Sequence, residues 1–79
     1  GAFLVSSVKK GEMPEAVRIV SEKGKPCTLV NPWPGKHVVL YRDGKKAEIL
    51  VGERFTFKTK AGEVIIAGPE GSEVKDAFL

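Results

Sequence analysis

Apolar residues in this chain come in short runs with a period of two, and no segment sustains the 3.6-residue period of an amphipathic helix. The runs return about every eight to twelve residues, divided by Gly and Pro, which is the spacing of a small sandwich or barrel. Strands are predicted at Phe3 to Lys9, Glu15 to Ser21, Cys27 to Asn31, His37 to Arg42, Ala47 to Val51, Arg54 to Lys60 and Glu63 to Ala67. From Gly68 the sequence reads as an exit tail able to add a short edge strand. The expected fold class is all-β, a small antiparallel β-sandwich of about seven to eight short strands in a single domain over residues 1–79. A small closed barrel uses the same alternation and stays open at this point.

Turn chemistry allows the pattern to be folded on itself, because a hairpin loop fixes register and a one-residue slip reverses every side chain. With Asp43-Gly44 as a two-residue type I′ turn, Leu40 opposes Ala47 and Val38 opposes Ile49 on an apolar face, while Val39, Tyr41, Lys46 and Glu48 share the other. With Glu22-Lys23-Gly24 as a three-residue loop and Gly24 left-handed, Ile19 opposes Cys27 and Val17 opposes Leu29. With Ala61-Gly62 as a third turn, Thr59 faces Val64 and Phe57 faces Ile66, so Phe55, Phe57, Val64 and Ile66 share one surface. Val5 and Val8 are expected to join the same core.

Length sets how much this core can hold. Seventy-nine residues is below the common domain size of about 100–150, which leaves room for one core. A chain that is 42% hydrophobic and 29% charged has the balance of a folded globule. Its longest apolar runs, such as Val38 to Tyr41, are far shorter than the roughly 20 residues of a membrane-spanning helix. No membrane partner is expected. The start lacks the features of a signal peptide, and Gly1 in place of an initiator Met is expected of a trimmed chain, with any targeting sequence lying outside it.

Catalytic chemistry finds few candidates. One His and one Cys are available for nucleophilic work, and the registers put Cys27 inward and His37 outward on different hairpins. A structural zinc site wants about four Cys or His ligands. The carboxylates fall at turns or outward strand positions, with Glu63 expected to form a turn-flanking ion pair with Lys60. No glycine-rich phosphate loop occurs. No catalytic residue, metal or cofactor is assigned, and the domain on its own is expected not to be an enzyme.

The distinctive segment is Asn31-Pro32-Trp33-Pro34-Gly35, where two prolines stop a strand and hold the only Trp in a semi-rigid loop. The indole can cap the sandwich, fill an interdomain contact or stack on a sugar, and Asn31 serves the loop backbone in each case. His37 and Tyr41 share the outer face of the next strand with Val39, near this loop. Asn31, Trp33, His37 and Tyr41 are therefore the candidate interdomain or sugar contacts. Net charge is +3 and the sequence pI is about 9.2, which raises a nucleic-acid-binding barrel as a further reading. Phe55 and Phe57 point inward, however, leaving too few aromatics for a base-stacking platform, and nucleic acid is disfavoured.

The order of Phe3-Leu4-Val5-Ser6-Ser7, Val17 to Gly24 ending in Ser-Glu-Lys-Gly, Cys27 to Trp33 with its Asn-Pro-Trp, and Phe57 to Glu63 with its Thr-x-x-Gly resembles the C-terminal β-sandwich of glycoside hydrolase family 95 α-L-fucosidases and related multidomain enzymes. The likeness runs from about Phe3 to Pro69. The catalytic residues of that family belong to a separate helical barrel, so none carries over. The resemblance implies a noncatalytic C-terminal accessory domain, packed on the catalytic domain of the same polypeptide and exported from a bacterial cell. The alternative is a carbohydrate-binding module built on the Trp33 loop.

Overall fold

A strand that separates a core from solvent must alternate, and Arg54–Phe57 does so plainly: Phe55 and Phe57 are buried, Arg54 and Thr56 exposed. The computed structural model describes residues 2–11 and 13–71, without the side chains of Lys10 and Met13. Its strands are β1 (Phe3–Lys10), β2 (Met13–Ser21), β3 (Cys27–Val30), β4 (Val38–Arg42), β5 (Lys45–Leu50), β6 (Arg54–Phe57) and β7 (Val64–Pro69). They form two antiparallel sheets, a five-stranded one in the order β1-β2-β7-β4-β5 and a two-stranded one of β3 and β6. The fold is a small β-sandwich, as the alternation predicts.

The core lies between the sheets. The larger sheet contributes Val17 and Ile19 from β2, Val38 and Leu40 from β4, and Ile65 and Ala67 from β7; the smaller contributes Cys27, Phe55 and Phe57. Cys27 and the two Phe are inward as expected. Trp33 enters the same cluster from the loop after β3.

Two expected hairpins are instead crossovers between sheets. β3 pairs with β6, matching Cys27 to Phe57 and Leu29 to Phe55, and not with β2. β7 pairs with β2 and β4, and not with β6. The turns themselves exist: Gly24 has φ +71° and Gly62 φ +82°, and Glu63 N donates to Lys60 O at 2.9 Å. A chain reversal satisfies local backbone geometry equally well when its two arms enter different sheets. With β7 in the larger sheet, Ile65 and Ala67 face inward, while Val64 and Ile66 turn to the outer face, where they are half-buried.

The crossovers interlock. Ser21 N donates to Glu63 O at 2.9 Å and Gly62 N to Ser21 O at 2.6 Å. The hydroxyls of Ser21 and Thr59 bond at 2.8 Å, Gly24 N donates to Ser21 Oγ at 3.0 Å, and Thr59 Oγ1 donates to Lys25 O. Gly24 is required here twice over, since a Cβ would stand 2.8 Å from Ala61 N.

The third expected hairpin is present with a shifted register. Asp43 (φ +53°) and Gly44 (φ +77°) make the left-handed turn, and Arg42 pairs with Lys45 and Tyr41 with Lys46. A bulge then leaves Ala47 unpaired, so Leu40 opposes Glu48 and Val38 opposes Leu50. Leu50 packs on the core and Ile49 is 45% exposed on the outer face.

The first two strands form a hairpin closed by Lys10 and Met13, with Gly11 at φ +71°. A second bulge sets Val8 opposite Ala16 but Lys9 opposite Pro14, at the place where proline has no N–H to give. Because β1 extends past the smaller sheet, Val5 is 62% exposed and Val8 lies half-buried on the outer face; neither joins the core cluster. Gly68 and Pro69 continue β7, and an edge strand in residues 72–79 lies outside the described residues.

Candidate functional site

The loop Asn31 to His37 is built around one amide. Asn31 Oδ1 accepts from Trp33 N at 2.8 Å, an Asx turn, and its Nδ2 donates to Lys36 O and to Gly52 O, both at 2.9 Å. Asn31 N donates to Glu53 O at 2.8 Å. Pro34 and Gly35, with φ +81°, occupy the middle of a turn closed by Lys36 N to Trp33 O at 3.0 Å, positions that suit their fixed and permissive backbones. Asn31 therefore ties its own loop to the β5–β6 connection, and its side chain is engaged at both ends.

Trp33 is 4% exposed, and its Nε1 donates to Pro14 O at 2.6 Å. The indole closes one end of the sandwich and offers no flat face to a ligand. His37 lies in the loop just before β4, half exposed, with Nδ1 3.6 Å from Glu70 Oε1; Glu70 N donates to His37 O at 2.9 Å. Tyr41 is half-buried on the outer face of the larger sheet.

The four residues singled out in the sequence thus separate. Asn31 and His37 share an open groove of about 540 Å³ between the two loops, whose walls include Val30, Lys36, Val51 and Glu53. Trp33 points away from it and Tyr41 belongs to the sheet. Val30 and Val51 are 61% and 66% exposed; for Val30 strand parity gives the signal, since Leu29 turns toward the core. Cys27 opens β3 at the end away from Asn31, so the Cys27–His37 pair is not brought together, and burial pushes the Cys27 thiol up from its ordinary value. Among the described residues no three His, Cys, Asp or Glu are grouped to hold a metal ion.

Glu63 does not pair with the Lys60 side chain as expected. Its Oε1 accepts from Arg42 at 2.8 Å and from the Lys60 backbone amide at 3.0 Å, while Arg42 also donates to Lys58 O at 2.9 Å. Desolvation works against the charged carboxylate, but the Arg42 hydrogen bond, the Lys60 amide and the charges of Arg42 and Lys60 together hold it below its ordinary value. This clasp joins the end of β4 to the β6–β7 crossover.

No family model, curated protein or solved structure matches this chain. Functional assignment therefore rests on its surfaces.

The unusual surface is the outer face of the larger sheet. Leu4, Val20 and Val64 form one row across β1, β2 and β7, and Ser6, Arg18, Ile66, Tyr41 and Lys46 form the next. Val8, Ala16, Val39 and Ile49 belong to a third, in which Ala16 and Val39 are fully shielded. A solvent-facing antiparallel sheet is ordinarily polar on this side. Among the described side chains of these three rows the charged ones are Arg18 and Lys46. Among the described residues no helix is long and apolar enough to cross a membrane.

Proposed function

We propose that this chain is a noncatalytic packing module, seated on a neighbouring folded body through the outer face of its larger sheet. In the setting the sequence resemblance implies, it is a C-terminal accessory domain and that body is the catalytic domain of a glycoside hydrolase. The observation that carries the proposal is the apolar character of the two outer rows of that face, joined through Ile66 and Tyr41 in a middle row that also holds Ser6, Arg18 and Lys46, because contiguous apolar surface with a few polar groups is what an interdomain contact uses. The carbohydrate-binding alternative loses its platform with the burial of Trp33.

The test is Ile66→Lys, made both in the 79-residue chain and in the full polypeptide that carries it. The isolated chain should keep its native circular dichroism and lose less thermal stability than the full polypeptide, because Ile66 is half-buried outside the core cluster. The full polypeptide should lose thermal stability and soluble yield. An unchanged full polypeptide overturns the proposal, and so does a saturable shift of Trp33 emission on titrating the isolated chain with plant or host glycans.

A further inference from the structure

The two edges of the five-stranded sheet are treated differently by the sequence. β5 carries Lys45, Lys46 and Glu48 and is interrupted by the bulge at Ala47, the usual protections of an edge against pairing with another chain. β1 has none of these over Phe3–Val8, which holds neither charge nor proline. Leu4, on the outer face, is 59% exposed, and Val5, on the opposite face, is 62% exposed.

The hydrogen-bond phase of β1 is fixed by Glu22 N donating to Ala2 O at 2.9 Å. In an antiparallel ladder the residues alternate, so Leu4 and Ser6 turn their N–H and C=O groups to β2, while Phe3, Val5 and Ser7 turn theirs away from the sheet. We propose that this edge, unpaired among the described residues, takes β1 of a second copy, joining two sheets into one continuous antiparallel sheet about a two-fold axis through Val5.

The geometry is self-complementary. With the axis at Val5, that residue opposes itself and Phe3 of each copy opposes Ser7 of the other. All the outward backbone groups from Phe3 to Ser7 then meet partners, each opposed pair exchanging both bonds. Centring on a residue keeps inner positions opposite inner positions, as the pleat demands. The exposed Val5 side chains cover one another, and Lys9 and Lys10 fall beyond the paired stretch at opposite ends of the ribbon. The inference does not depend on the packing function, since it uses the sheet edge and not its face.

Sedimentation velocity of the 79-residue chain, from micromolar concentrations to about 1 mM, should show a monomer–dimer equilibrium. Val5→Pro deletes an outward N–H that β2 does not use, so it should abolish the dimer while leaving the native circular dichroism intact. Should Val5→Pro disturb the fold, Val5→Lys serves instead, placing like charges opposite each other and weakening the dimer by about tenfold or more. Ile49→Lys, on the protected edge, should leave the dimer unchanged. Amide exchange at Val5 and Ser7 should slow as the dimer forms, since neither has a backbone partner among the described residues. A monomer throughout this range overturns the proposal. So does a dimer that survives both Val5 substitutions, or one abolished by Ile66→Lys while the Val5 amide exchanges freely.

Discussion

Trp33 combines a large apolar body with one polar atom, and both are used internally: the ring joins the core cluster and Nε1 reaches Pro14 O. A substitution that preserves the ring character but deletes the donor separates the two roles. Trp33→Phe should cost about 2–3 kcal/mol, from lost ring contacts and a carbonyl left without its donor, read as a lower urea midpoint with an unchanged slope. A loss near that of a surface substitution would place the indole outside the cooperative core. Gly24 is the second demanding residue. Gly24→Ala forces a left-handed alanine and drives its Cβ against the Ala61 backbone, for an expected loss of about 2 kcal/mol or more in the same assay. At this scale the sequence was informative: the inward Cys27, Phe55 and Phe57, the backbone role of Asn31 and the left-handed Gly24 all follow from residue type and parity.

Among elements, alternation located the seven strands of the described residues, since it reports whether a segment has a buried and a solvated side. It did not report partners. The Ala61-Gly62 and Glu22–Gly24 turns reverse the chain as their residues require, yet each delivers it into the opposite sheet, a choice made by contacts distant in sequence such as Ser21 to Thr59. The bulge at Ala47 was hidden for a related reason: Ala47, Ile49 and Leu50 fit either face until β4 is paired on its other side by β7. The groove beside Asn31 was equally illegible, because Val51 to Glu53 reach it only through the fold.

The Arg42–Glu63 clasp is a charged link between a strand and a crossover. The folded Glu63 carboxyl titrates below its ordinary value, so its contribution is full above the usual carboxylate range of about 4 and fades as pH falls through the lower folded value. Glu63→Gln should therefore flatten the acid limb of stability against pH and cost about 1 kcal/mol at neutral pH, a value moderated by partial solvent exposure. Parallel acid limbs for the two proteins would refute an electrostatic role for the clasp.

On the scale of the whole molecule, the larger sheet is completed by the last strand among the described residues. β7 lies between β2 and β4, whose partners in sequence can close as local hairpins with β1 and β5 before it arrives. During synthesis those two hairpins can form one after the other, yet they have no common seam until Val64–Pro69 has left the ribosome. The growing chain thus carries two unjoined half-sheets from the completion of β5 at Leu50 until β7 is made, and a pause after β6 would prolong the interval in which their inner edges are open to other chains.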